Sequence, residues 1–194
     1  MLSRMLGLAV KDRIRYLMIA LPIAIGANLI HEATHYIAAL AYGEHVVAFR
    51  FLTAGFGTSQ VVYATPVALR TGAYWLVIAW APSVVTTLIG YILYLQRGRL
   101  RAGRTIALIG LYAGFIFLLL DPFYISVLSL LVGGDIGAVQ AVGWSAWPVR
   151  AFALLVFIIN WRLTLGWMRE LRVSAPKSKT SASPMPMPAG RTHE

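Results

Sequence analysis

The sequence predicts an all-α integral membrane protein of about four spanning helices, with a β-hairpin between the first and the second. Three observations carry that prediction. Of 194 residues, 59% are hydrophobic and only 12% are charged, about half the ~25% charge of a soluble domain. Long runs between the charges are almost wholly apolar. The arginines and lysines gather at Arg4 to Arg15, Arg97 to Arg104 and Arg162 to Lys179, each cluster flanking an apolar run. Basic flanks of this kind set membrane orientation, so the net charge of +10 does not point to nucleic acid. A nucleic-acid face would collect its cations on one soluble surface.

The elements follow in order. Met1 to Arg15 is short, interrupted by Lys11, Asp12 and Arg13, and has no small-residue cleavage pattern, so the first apolar segment is expected to stay in the mature protein. Residues 16–42 hold one charge, Glu32, in 27 positions and one proline, Pro22, where a bend is expected. About 20 apolar residues cross a bilayer, so this is the first span. Residues 71–95 carry no charge and form the second. The third runs over 105–132, with Asp121-Pro122 as an expected break, and the fourth over about 148–168. Arg150 and Arg162 are expected to snorkel from the ends of that last span. Placing the Arg97–Arg104 cluster in the cytoplasm puts both termini there too. The expectation is a multi-pass protein of the cytoplasmic membrane, surrounded by lipid.

Between the first two spans, residues 45–66 read as a hairpin. The β-branched and aromatic runs Val46–Leu52 and Ser59–Ala64 flank Gly55 and Gly57. An open hairpin cannot face lipid, because its edge groups would lack partners. It must lie at the interface or line a cavity. Residues 1–172 therefore form one membrane-embedded domain. Residues 173–194, rich in Ser and Pro and including His193, read as a disordered cytoplasmic tail.

Cysteine is absent, which removes disulfides, thiolate metal sites and a cysteine nucleophile. Four His and seven acidic residues must supply any metal or acid–base chemistry. His31-Glu32-Ala33-Thr34-His35 lies inside the first span. Residues four apart share a helix face, so both imidazoles can reach one metal. Glu32 points about 100° away, suited to a metal-activated water rather than to ligation. A chance match arises in roughly one chain of this length in several hundred. Ionisable groups in a membrane helix are costly and mark function by default.

A zinc site needs a third oxygen or nitrogen donor. Asp12, Glu170 and Glu194 lie in basic flanks or the tail, and Glu44 and His45 follow the first helix as interfacial or supporting groups. Two rivals remain. Asp121 matches the depth of His31, since 17 residues separate it from Arg104 and 16 separate His31 from Arg15. Each distance is roughly 25 Å along a helix. Asp135 sits in the flexible turn Gly133-Gly134-Asp135-Ile136-Gly137, and reaches the site if 122–134 fold back. Each also has a plainer role: Asp121 at the Pro122 kink, or Asp135 as a helix N-cap.

His31-Glu32-x-x-His35 followed by Ala38-Ala39-Leu40-x-x-Gly43 resembles the site-2-protease group of zinc intramembrane peptidases (peptidase M50, M50B-like), in its small four-span members. That group has a hairpin after the motif, like the one expected over 46–64. A helix with an Ala/Gly-Pro step follows, here Ala81-Pro82. A late Gly/Ser-Asp precedes the last span, here Gly134-Asp135 with Trp144 to Pro148 behind it. The resemblance covers roughly 20–165. It implies Zn²⁺ held by His31, His35 and Asp135, with Asp121-Pro122 in the place of a polar residue and proline. Thr86 and Thr87 stand where the group often has Asn, and Gly-Asp-Ile where it has Leu-Asp-Gly.

The expected function is zinc-dependent intramembrane endopeptidase activity on membrane-protein or peptide substrates. Glu32 is the expected catalytic base, and the hairpin edge the expected support for an unwound substrate. The alternatives are a silent scaffold that binds membrane partners and, third, a metal-ion carrier. A carrier calls for polar residues recurring along several spans, whereas spans two and four offer few, chiefly Ser83, Thr86, Thr87 and Asn160.

Overall fold

The computed structural model describes residues 10–51, 59–132 and 134–173. In order, the elements are α1 (Val10–Ala41), β1 (Val46–Arg50), β2 (Gln60–Tyr63), α2 (Tyr74–Leu95), α3 (Arg104–Phe123), α4 (Ser129–Val132), α5 (Ile136–Ala141) and α6 (Ala146–Val173). Four stretches are long and apolar enough to cross a membrane: Tyr16–Ala41, Tyr74–Leu95, Thr105–Leu131 and Ala146–Leu171. The chain is thus an all-α membrane protein with its hairpin between the first and second spans. The second span begins at Tyr74 because residues 71–73 are taken up in a turn around Gly72.

The third span is the centre of the bundle. Half of its apolar window is buried, against 6% for the first, and α3 packs on α1, α2 and α6. Gly90 lets α2 approach it, since a Cβ there would stand 2.9 Å from the Leu118 backbone nitrogen. Small residues permit this closeness between membrane helices. Leu17, Met18, Leu21 and Ile37 of α1 are exposed, as befits an edge helix that turns one side to lipid.

The expected break at Asp121-Pro122 does not occur. Helix continues through Pro122, widens to a π-helical stretch at Tyr124–Leu128 and runs on to Val132. The chain turns back only around Gly134, whose φ is +80°. Continuity is possible because the defect left by proline is repaired from outside. Pro122 has no N–H for the Leu118 carbonyl four residues earlier. Asn160 Nδ2 of α6 donates to that carbonyl at 2.8 Å, and Tyr91 Oη of α2 donates to Asn160 Oδ1 at 2.8 Å. A fully buried amide thereby ties three spans together.

The strands pair antiparallel from Val46↔Tyr63 to Arg50↔Gln60, with a bulge between Val46 and Ala48. The glycine turn of the hairpin, the C-terminal tail and His193 lie outside the described residues. Glu44 closes the base of the hairpin, accepting from the Thr65 backbone N–H (3.1 Å) and hydroxyl (2.9 Å). Arg150 departs from simple snorkelling: it donates to the Ser129 hydroxyl at 3.2 Å and carbonyl at 3.4 Å, joining α6 to α4.

Candidate metal centre

Asn28, His31, Glu32 and His35 fall at spacings of three and four along α1, and so share one side of the helix. That side faces α2 and α3. The two imidazoles meet edge to face, with centroids 5.0 Å apart. Asp135 reaches them from the turn after α4. Its Oδ1 is 3.3 Å from His35 Nε2 and its Oδ2 is 3.5 Å from His31 Nε2. One ligand atom from each of His31, His35 and Asp135 lies within 4.8 Å of the others. Asp135 also stands at the N-cap of α5, but its side chain makes no capping bond, so the plainer role does not explain it.

The other nitrogen of each ring is already engaged. His35 Nδ1 is 2.8 Å from the Ile78 carbonyl. His31 Nδ1 is 3.1 Å from Asp121 Oδ2, and the Thr86 hydroxyl donates to the same carboxylate oxygen. A carbonyl can only accept, so Nδ1 of His35 carries the proton. In the neutral ring this leaves the Nε2 lone pair aimed at Asp135, as in metal-ligating histidines.

The donor set suits a cation. Two Nε2 atoms and a carboxylate converge, and Asp135 Oδ2 is buried without a hydrogen-bond partner among the described residues. Lone pairs that face one another repel unless a positive charge sits among them, carried by imidazole protons or by a metal. Burial alone raises the Asp135 carboxyl, yet His31 and His35 outweigh it and hold the group below the usual carboxylate range. Two imidazoles and a carboxylate, with room for water, match the composition of hydrolytic zinc sites.

Around these residues lies a cavity of about 1020 Å³, at the upper end for a ligand pocket. Strand β2 forms one wall. Its Val61 N–H donates to Glu32 Oε2 at 3.1 Å, and the preceding Ser59 N–H to Asn28 Oδ1 at 3.2 Å. Tyr124 also lines the cavity, with its hydroxyl beside Gly134.

No protein-family model, curated protein or solved structure matches this chain. The reading of the site therefore rests on its own geometry.

Of the residues singled out in the sequence, His31, Glu32, His35 and Asp135 come together. Asp121 comes to the same place but contacts the far nitrogen of His31, outside the three-residue cluster. Glu44 is bound into the base of the hairpin, away from the cluster. Asn28 and Tyr124 were not anticipated. Asn28 had a signal, since it stands four residues before Glu32. Nothing in the sequence marked Tyr124, which acquires its place from the π-helical turn.

Proposed function

We propose that the protein is a zinc-dependent intramembrane endopeptidase of the site-2-protease type, acting on membrane-protein segments within or near the bilayer. The observation that carries the reading is the convergence of His31 Nε2, His35 Nε2 and the Asp135 carboxylate with Glu32 beside them in a cavity lined by three spans and strand β2. His31, His35 and Asp135 would hold the zinc, which would supply Lewis acidity toward the scissile carbonyl and lower the pKa of water.

Glu32 takes the proton of the attacking water as the C–O bond forms. It returns that proton to the amide nitrogen as the C–N bond breaks, giving a carboxylic acid and an amine. Before a substrate binds, the Val61 N–H holds the carboxylate in place. A substrate helix hides its peptide bonds in its own hydrogen bonds, so it must unwind first. In this reading an extended segment lies along β2 and takes over the Ser59 and Val61 amides, which releases Glu32. The reading includes a cytoplasmic-membrane location with both ends of the chain inside, which the basic clusters support.

The test is cleavage of a transmembrane model peptide by detergent-purified protein, with zinc per chain measured on the same sample. About one zinc and hydrolysis that is lost on chelation and restored by zinc support the reading. Zinc without hydrolysis of any peptide in a broad panel leaves the membrane scaffold. Well-folded protein that binds no zinc overturns it.

A further inference from the structure

Pro82 lies in the middle of α2, where proline is disfavoured in an ordinary helix interior. Its cost has a local consequence. A helical N–H at position 82 would bond the carbonyl of residue 78, four residues earlier. Proline has no such N–H, and its ring pushes the carbonyl outward. The Ile78 carbonyl is the group that His35 Nδ1 meets at 2.8 Å. His35 is buried, and no other partner for its Nδ1 occurs among the described residues.

We infer that Pro82 is a positioning residue for the metal centre: by leaving the Ile78 carbonyl without a helical donor, it provides the acceptor that sets the proton and orientation of His35. An acceptor-only partner places the proton on Nδ1 and presents Nε2 to Asp135, 3.3 Å away. A water or hydroxyl partner would not discriminate, because either can donate as well as accept.

The same device occurs a second time in the bundle. Pro122 strips the Leu118 carbonyl of its donor, and Asn160 of another span takes it at 2.8 Å. In each case a buried polar side chain from a neighbouring helix uses a carbonyl that a proline has released. At Leu118 the result is adhesion between spans. At Ile78 it is the orientation of a candidate ligand.

The effect on His35 stands on geometry alone; the effect on zinc rests on the proposed function. The test separates them. In ¹⁵N-histidine-labelled, metal-free protein in detergent, His35 should show a slowly exchanging, downfield Nδ1–H resonance, assigned by its loss in His35→Ala. In Pro82→Ala the restored amide competes for the Ile78 carbonyl, and that resonance should lose its protection. Zinc affinity should fall about tenfold, at the low end for outer partners of metal-bound histidines. Pro22→Ala, the same change within α1, should leave the resonance and the affinity unaltered.

A merely structural proline would behave differently. Pro82→Ala would then raise or preserve thermal stability, with the His35 signal and zinc affinity unchanged, and the inference would be overturned. Rapid exchange of Nδ1–H in the unaltered protein overturns it without any variant. A protected His35 resonance in a protein that binds no zinc keeps the positioning role and removes the peptidase reading.

Discussion

Asp121 contacts His31 from the edge of the imidazole that looks away from Asp135, with 3.1 Å between Oδ2 and Nδ1. The two aspartates thus stand on opposite sides of one ring, and they should answer differently to the same substitution. Asp135→Asn removes the charge of the proposed ligand and should abolish stoichiometric zinc. Asp121→Asn keeps an oxygen that can accept from Nδ1–H, so zinc should remain but bind about 10- to 100-fold more weakly. Titration of both variants with a competing chelator reads the difference. Loss of zinc with Asp121→Asn and retention with Asp135→Asn would reverse the assignment.

Glu32 contacts the Val61 amide and belongs to none of the ligand pairs of the cluster. Glu32→Gln keeps a hydrogen-bonding oxygen and removes the proposed base. Cleavage of a model peptide should fall by about 10² to 10⁴, the usual contribution of general acid–base catalysis, with zinc content unchanged. Near-native cleavage by the metal-loaded variant would assign the base to another group.

Why the sequence was more eloquent about some residues than others has a physical basis. The spans and the His31-Glu32-x-x-His35 face follow from local rules, apolar length and helical periodicity, and the described helices agree with them to within a few residues. The hairpin was legible from alternating β-formers around glycine, and it pairs where expected. The choice between Asp121 and Asp135 was not legible. It depends on where the chain reverses after the third span, and Pro122 invited a break that Asn160 prevents from a position 38 residues later in the chain. Partnerships such as His35 with the Ile78 carbonyl leave no local pattern, because the acceptor is a backbone group on another helix.

Gly134 should be intolerant of any side chain. Its φ of +80° strains L-residues by about 1–2 kcal/mol, and a Cβ there would overlap the Tyr124 hydroxyl. Because Asp135 is the next residue, Gly134→Ala should displace the carboxylate and abolish zinc binding while the spans still insert. Adding Tyr124→Phe removes the overlap but not the backbone strain, so the double variant should recover part of the affinity. Full zinc occupancy in Gly134→Ala alone would show that Asp135 does not need this turn.

Asn160 offers a separation of stability from chemistry. It is fully buried, it bonds both Leu118 and Tyr91, and it does not line the cavity that holds the histidines. Asn160→Leu keeps the number and branching of side-chain heavy atoms but leaves the Leu118 carbonyl and the Tyr91 hydroxyl without this partner. An unsatisfied buried group costs about 1–3 kcal/mol, while measured interhelical hydrogen bonds in membranes average only ~0.6 kcal/mol. Tyr91 can turn its hydroxyl elsewhere; a carbonyl facing proline in a helix interior cannot. The loss should therefore be about 1–2 kcal/mol, read as a shift in reversible unfolding in mixed micelles. Zinc affinity measured on the folded fraction should stay within a few-fold of the unaltered protein. A tenfold or larger loss of affinity would mean that the Pro122 region transmits its geometry to Asp121 and through it to His31, making Asn160 part of the centre rather than of the frame.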